Sequence, residues 1–510
     1  MKTKYLFLAI AALGLAACAE TAENLPQNDK PTVEGVEKGY IAINLQAEGA
    51  VRAAGASYED GTTDEQAVNN ATFYFFDAAG NPFNINASGN YFNVSVADNG
   101  TTQAPNIESM TNPVLVVEKY KGEFPASIVA VVNYTGTSSL SLAELRDNLS
   151  DVGHSSGTNF IMTNSVYADG AGNAVYATPL TIDNFQTSAA AATDNPVTIH
   201  IERIVAKMSV SAGNTAFNTG VQVNGKNVFA RVSGWEVISN PMESYFLKTI
   251  DTNWDDTTLG FTWNDIPYLR SYWTGKSLTA SNHAFAYDDL VNSDATVEYL
   301  GEHVGAANTE RTKFIIGAQL QDENGSALEI AQWYGTSYIT EDALLAAVAP
   351  TLKQKFMQFD GIDTYTNIDD SQLQCVAGNA NAESYEVVFQ LAEGVATDNW
   401  YSFDGENYTP IADVNAELVK IEPAKIWKDG MTYYYGDVKH IGIAGSVGEF
   451  GIVRNHSYKV SVTGVKGWGT PIYDPTLQVV PVKPTDKETY IAAEINVLSW
   501  RVVSQDVTLQ

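Results

Sequence analysis

Short runs in which apolar and polar residues alternate recur along this chain, and a period of two marks a strand with one buried face. GYIAINLQAEG at 39–49 sets Ile41, Ile43 and Leu45 on one side and Tyr40, Ala42 and Asn44 on the other, predicting a first strand. NATFYFFDAAGNPF reads as two strand pieces about a tight DAAGN turn, and NYFNVSV, NPVLVVEKY and PASIVAVVNY continue the pattern. A long strand-like run, Val197 to Val210, crosses the middle of the chain. Beyond it NVFARVSGWEVISN, TKFIIGAQLQ, YEVVFQL, MTYYYGDVKHIG and HSYKVSVTGVKGWG predict further strands joined by turn-rich segments. The final EINVLSWRVVSQDVTLQ alternates over Glu494–Trp500 and again over Ser504–Leu509. The phase change near Val502–Ser504 predicts a bulge or turn that splits it into two strand pieces.

Helical periodicity is scarce. SLSLAELRDNLS predicts a short helix capped by Ser139 or Ser141, with leucines 142, 145 and 149 on one face. EDALLAAVAPTLKQKFMQF at 341–359 predicts the best helix, with Glu341 and Asp342 at its positive end. TSAAAATDNP reads as a surface loop. With so few helices between strands, a parallel βαβ array is poorly supported, and the fold class expected is all-β with a few helices.

At 510 residues one core would have to grow past its usual size, so two domains are expected, divided near residue 203. The divisions are a leader at 1–17, a segment at 18–52 carrying the first strand, an N-terminal domain at 53–203 and a C-terminal domain at 204–510. Formal net charge is −31, from 60 acidic against 29 basic residues. That balance excludes a surface adapted to nucleic acid and gives a self-repelling exterior.

Only two cysteines occur, Cys18 and Cys375, so no internal framework of disulfides is expected. Cys18 ends MKTKYLFLAIAALGLAAC: two lysines, an apolar stretch from Tyr5 to Ala17, then the cysteine. The layout is that of a secretory signal, too short for a comfortable transmembrane helix, and L-A-A-C resembles a bacterial lipobox. Lipid on Cys18 would anchor the exported chain through its acyl groups. The polar 19–38 would serve as tether. Arg52, alone before Arg146 in small-residue sequence, is either a solubilising charge or a site for a trypsin-like protease.

Catalytic signals are absent. The six histidines form no HxH or HExxH and no GxGxxG occurs; GHSSG at 153–157 lies between a predicted helix and a strand rather than at a strand-to-helix elbow, and GKS at 275–277 has Arg270 where a phosphate loop needs its first glycine, so no cofactor and no enzyme activity are expected. DTNWDDTTLG and NIDDSQ offer close oxygens without the order of a calcium loop. Trp235, Trp263, Trp273, Trp333, Trp427 and Trp468 are scattered, which suits sandwich cores better than a sugar platform.

Several segments together resemble the major fimbrial subunits of the Bacteroidales, in the Mfa1-like branch of the FimA superfamily that builds type V pili. They are the lipobox at Cys18, HIERIVAKMSV at 200–210, RSYWTG at 270–275, KDGMTYYYGDVKH at 428–440, GIVRNHSYKVSVTGVKGWGTP at 451–471 and the terminal EINVLSWRVVSQDVTLQ. The resemblance implies two transthyretin-like Greek-key β-sandwich domains and an outer-membrane lipoprotein precursor. It implies removal of the first strand by an arginine-specific or trypsin-like protease after Arg52, and polymerisation when a neighbour's terminal strand fills the vacated groove. The second piece of the tail, carrying Val503, Val507 and Leu509, is the expected donor. Partners implied are copies of the chain, anchor and tip fimbrial subunits, and host or bacterial surface receptors, in a fimbrium at the cell surface. The alternative is a surface lipoprotein or tip adhesin that binds glycans or host proteins.

Overall fold

The first predicted strand forms over Lys38–Ala47 (β1), and it is an interior strand, hydrogen-bonded along both edges. The computed structural model describes residues 38–47, 61–85, 89–95, 110–111, 113–119, 122–152, 155–168, 174–249, 278, 280, 282–304, 310–378, 380, 382–440, 449–481, 490–498 and 503–505. These are mainly β structure with few helices.

One nine-stranded sheet organises the N-terminal part. Besides β1 it contains Asn70–Phe76 (β2), Tyr91–Ser95 (β3), Val114–Glu118 (β4), Ser127–Val132 (β5), Met162–Asn164 (β6) and Val197–Arg203 (β7), in the order β3-β2-β5-β6-β7-β1, with β4 on the far side of β1 and two-residue strands at Met110–Thr111 beside β1 and Thr178–Pro179 beside β5. The aromatic run Phe73–Phe76 and the aliphatic run Ile128–Val132 are buried throughout, as expected of central strands with both faces covered.

Ile204 joins β7 to Val205–Ser211 (β8), the first strand of the C-terminal part. There Ala216–Val223 (β9), Lys226–Ile238 (β10), Glu298–Gly301 (β11), Lys313–Gln321 (β12), Met431–Asp437 (β13), Ser457–Lys466 (β14), Tyr490–Leu498 (β15) and Val503–Gln505 (β16) make two five-stranded sheets. Their orders are β11-β8-β14-β15-β16 and β9-β10-β12-β13 followed by Thr470–Pro471. One core takes Met208 and Val210 from β8, Tyr458 and Val460 from β14, and Trp235, Phe314 and Ile316 from the other sheet, so the two sheets face each other as a sandwich. In β10 the inward residues are Val228 and Ala230, then Trp235 and Val237. A bulge between Val232 and Gly234 switches the parity.

Residues between β12 and β13 form an insertion with its own core, built on Leu344, Val348, Phe389, Trp400 and Ile426. Here the predicted helix over 341–359 is shorter than expected. It runs Glu341–Val348, tightens through Pro350 into a 3-10 turn at Ala349–Leu352, and Met357–Phe359 is instead a strand paired with Tyr365–Asn367 and Trp400–Tyr401. Conversely, TSAAAATDNP is not a plain loop: Ser188 caps a helix at Ala189–Asp194 that lies against β1. Ser141 caps Leu142–Asp147 through a full capping box with Glu144.

Candidate assembly site

The seat of β1 is built from both its neighbours. Ile43 to Ala47 run parallel to Val197 to Ile201 of β7, and Lys38 to Ala42 run antiparallel to Glu118 to Val114 of β4. The Tyr40 N–H donates to Gln186 O and the Gln186 N–H donates to Tyr40 O, each at 2.8 Å, so the strand is also clasped beside the helix at 189–194. Ile41, Ile43 and Leu45 are at most 1% exposed, and on the other face Ala42 and Asn44 are buried too. A strand expected to have one solvated face is therefore covered on both. Burying three large aliphatic side chains is worth about 5–9 kcal/mol, as an upper bound, and emptying the seat would also strip two rows of backbone partners.

At its start, β1 passes beneath two stacked rings, Phe124 and Phe185, with centroids 4.3 Å apart. Gly39 is what the space admits, because a Cβ there would lie 2.7 Å from Phe185 Cβ and 2.9 Å from the Phe124 ring. On the surface, Lys38 pairs with Glu118 at 2.8 Å, and the hydrogen bond and charge of Glu118 hold the ammonium above its usual range.

The terminal segment forms two strand pieces, as the phase change predicts. β15 pairs along β14 from Ser457 with Leu498 to Lys466 with Tyr490. β16 folds back on it at the sheet edge, with Ile495 opposite Gln505 and Val497 opposite Val503. Its backbone beyond β15 is an edge, the part of a sheet most open to exchange.

Between the two parts lies a junction made by the motif residues of HIERIVAKMSV and GIVRNHSYKV. Arg454 is fully buried: its Nε donates to Glu302 Oε2 at 2.6 Å, Nη1 to Phe246 O at 2.7 Å and Nη2 to Tyr245 O at 2.6 Å. Lys248 reaches Glu202 at 3.5 Å and Glu302 at 3.9 Å. A second buried group centres on Glu65, which accepts from Lys207 Nζ at 3.0 Å and from the Tyr299 hydroxyl at 2.9 Å, while Arg203 Nε donates to the Glu65 carbonyl at 2.7 Å. Burial pushes the Glu65 carboxyl up, but Lys207, the Thr62 N–H and Tyr299 more than offset it and hold it below the usual carboxylate range. Burial followed by the neighbouring Glu65 pushes the Tyr299 phenol up.

Of the residues singled out from sequence, Val503 is placed at the β16 edge, whereas Cys18, Arg52, Val507 and Leu509 lie outside the described residues. NIDDSQ is accounted for by structure: Asp369 caps the 3-10 turn at Asp370–Gln372. Trp235, Trp333, Trp427 and Trp468 are all at most 9% exposed and belong to cores, while Trp263 and Trp273 are not described. Sequence reasoning missed Glu65, Lys248 and Glu302. Thr62-x-x-Glu65 is legible as a capping box, but nothing local shows that its glutamate is also a buried partner of Lys207.

Among the described residues no group of three or more His, Cys, Asp or Glu is placed to hold a metal ion, and no helix is long and apolar enough to cross a membrane. Residues 425–506 match the family model for the major fimbrial subunit protein type IV, fimbrillin, C-terminal. That family is one of fimbrial subunits. No curated protein matches the chain. Solved structures similar to it include a Parabacteroides distasonis protein described as a cell adhesion protein, at 11% identity over 92% of this chain and 100% of that one, with a TM-score of 0.41. A fimbrial assembly protein of the same organism is 14% identical over 59% of this chain and 85% of that one, TM-score 0.29. The tip fimbrial protein Mfa3 of Porphyromonas gingivalis with C-terminal truncation is 10% identical over 91% and 100%, TM-score 0.34. Likenesses at these scores carry no functional inference.

Proposed function

We propose that this chain is a structural subunit of a cell-surface fimbria, of the Mfa1-like kind, that polymerises by strand exchange between copies and supports adhesion and biofilm formation. The observation that carries the reading is the position of β1: it is interior to its sheet, yet its only covalent link to the rest of that sheet is residues 48–60, the stretch that contains Arg52. A cut after Arg52 by an arginine-specific or trypsin-like protease would leave 510 minus 52, or 458, residues and hold β1 by non-covalent contacts alone. The fimbrillin match over 425–506 supports the same reading.

Loss of β1 bares backbone donors and acceptors beside apolar pockets, a state that favours any strand able to refill it. The donor is the segment from Val503 through Val507 and Leu509 of the next copy. Its described part is held by only three residue pairs at a sheet edge, so releasing it costs few hydrogen bonds. Because donor and acceptor are different surfaces, the contact does not close and a filament grows. The precursor is tethered to the outer membrane by lipid on Cys18, and anchor and tip subunits end the fibre.

The test is deletion of 503–510, which spares β15. A longer deletion from Glu494 would remove half of an interior strand and confound assembly with folding. Protease-treated protein without 503–510 stays monomeric on gels run without boiling, and Arg52→Ala remains unprocessed. Ladders from the deleted protein would refute the donor, and normal maturation of the Arg52 variant would refute the cut.

A further inference from the structure

The insertion between β12 and β13 carries a small sheet whose two faces differ sharply. Its four strands are Tyr365–Asn367, Met357–Phe359, Trp400–Phe403 and Tyr408–Pro410, hydrogen-bonded in that order. Trp400 points inward, is 1% exposed, and belongs to the core of the insertion. The alternation of a strand then places Tyr401 and Phe403 on the face opposite Trp400, and the pairing of Met357 with Tyr401, Phe359 with Tyr365 and Phe403 with Tyr408 puts five rings on that face. None of the five belongs to any of the hydrophobic cores.

The rings form a continuous array. Phe359 stacks on Tyr365 at 4.6 Å, Tyr365 stacks on Tyr408 at 3.7 Å, Tyr401 meets Tyr365 edge-on at 5.2 Å, and Phe403 tilts against Tyr408 at 4.6 Å. Tyr408 is 42% exposed. The turn after Phe359 carries Asp360 and Asp363, and the turn after Phe403 carries Asp404 and Glu406. The antiparallel pairing of these two strands sets the turns at opposite ends of the sheet. Asp360 and Asp404 each accept backbone N–H groups through Oδ1, which holds their carboxyls below the usual range and anionic at neutral pH.

Charge selects the occupant. Residues 356–419 contain twelve Asp and Glu and no Lys, Arg or His, the most one-sided stretch of a chain whose net charge is −31. A second copy of so acidic a surface would be repelled. Aromatic faces flanked at both ends by carboxylates suit a cation that can stack on a ring while pairing with oxygen, which is the chemistry of arginine first and lysine second. We propose that this aromatic face binds a basic, arginine-bearing polypeptide segment of a partner protein. The inference deepens the fimbrial reading by giving the insertion a partner class, and rests on it only for the setting at the cell surface.

The purified full-length chain, titrated with a fluorescein-labelled nona-arginine peptide, tests it by fluorescence anisotropy. Tyr365→Thr with Tyr408→Thr leaves charge unchanged and places strand-compatible residues at both positions. It weakens binding about tenfold or more, while Tyr365→Phe with Tyr408→Phe, which keeps both rings, binds as the parent does. Asp360→Asn with Asp404→Asn retains the turn acceptors and also weakens binding, with a shallower dependence on salt. Peptide affinity equal in the parent and the threonine variant would show attraction by bulk charge alone and overturn the proposal. So would binding of a neutral oligosaccharide, but not of the peptide, in a manner lost in the threonine variant. Circular dichroism certifies that each variant is folded; if the threonine variant is not, Tyr365→Leu with Tyr408→Leu, which keeps apolar bulk and charge but removes both rings, takes its place with the same two outcomes. Ladder formation by the same variants reports separately on strand exchange, so either reading can fail without the other.

Discussion

Glu65 and Lys207 meet at 3.0 Å with side chains only 3% and 6% exposed, joining the helix that follows residues 48–60 to β8 of the C-terminal sandwich. Whatever happens N-terminal to Gly61, this pair fixes the resumed chain to the other half of the molecule.

Breaking it on one side leaves a buried charge without its partner, which typically costs 3–5 kcal/mol, whereas replacing both by apolar groups is far milder. Glu65→Gln is therefore expected to lower stability by about 3 kcal/mol, and Glu65→Leu with Lys207→Met to recover most of that loss. Urea unfolding midpoints across the double-mutant cycle check it. The sign of the pH effect follows from the depressed Glu65 pKa: its contribution is complete above the ordinary value of 4.5 and is lost as pH falls below it. The Gln variant should show a shallower acid decline than the parent.

Glu298 shows the opposite linkage. Burial first, then the nearby Glu236 carboxylate, pushes its carboxyl up to about 7, against the Val237 N–H and the Asn292 amide, which favour the charged form. Between 4.5 and about 7 the folded chain holds a proton that the unfolded chain has released, so stability falls as pH rises through that window. Glu298→Gln is expected to match the parent at pH 4 and to melt on the order of a few degrees higher at pH 8. Calorimetry at the two values decides it, and an equal shift at both would remove titration as the cause.

At Gly39 even a methyl group meets Phe185 and Phe124. Gly39→Val should loosen the entry of β1 beneath that pair by about 1–3 kcal/mol, since overfilling a packed site costs that much. Hydrogen exchange of the Lys38–Ala47 amides would then quicken by tenfold or more while exchange in β10 and β12 stays unchanged. Uniform quickening would mean global destabilisation instead.

Gly234 sits at the bulge of β10, where an added Cβ would lie 1.7 Å from the Leu290 carbonyl oxygen. Backbone cannot swing aside as a side chain can, so Gly234→Ala is expected to cost about 3 kcal/mol and to broaden the packing around Leu290 and Phe285. Near-ultraviolet circular dichroism and urea unfolding together measure it.

By itself the sequence determined the elements whose causes are local. Alternation placed β1 and the paired pieces of the terminal segment, and Ser141 three residues before Glu144 placed a helix start. Proline at 350 explains after the fact why the 341–359 helix shortens, but Met357–Phe359 turned to strand because distant strands offered it hydrogen bonds. Only the tertiary structure decided that β1 is covered on both faces, since its second cover is a six-residue helix whose alanines carry no amphipathic signal. Only it brought Glu65 to Lys207 and Arg454 to Glu302, pairs 142 and 152 residues apart in the chain. Periodicity reports a residue's burial relative to its own element; which charge meets which depends on how the elements are stacked, and no local pattern encodes that.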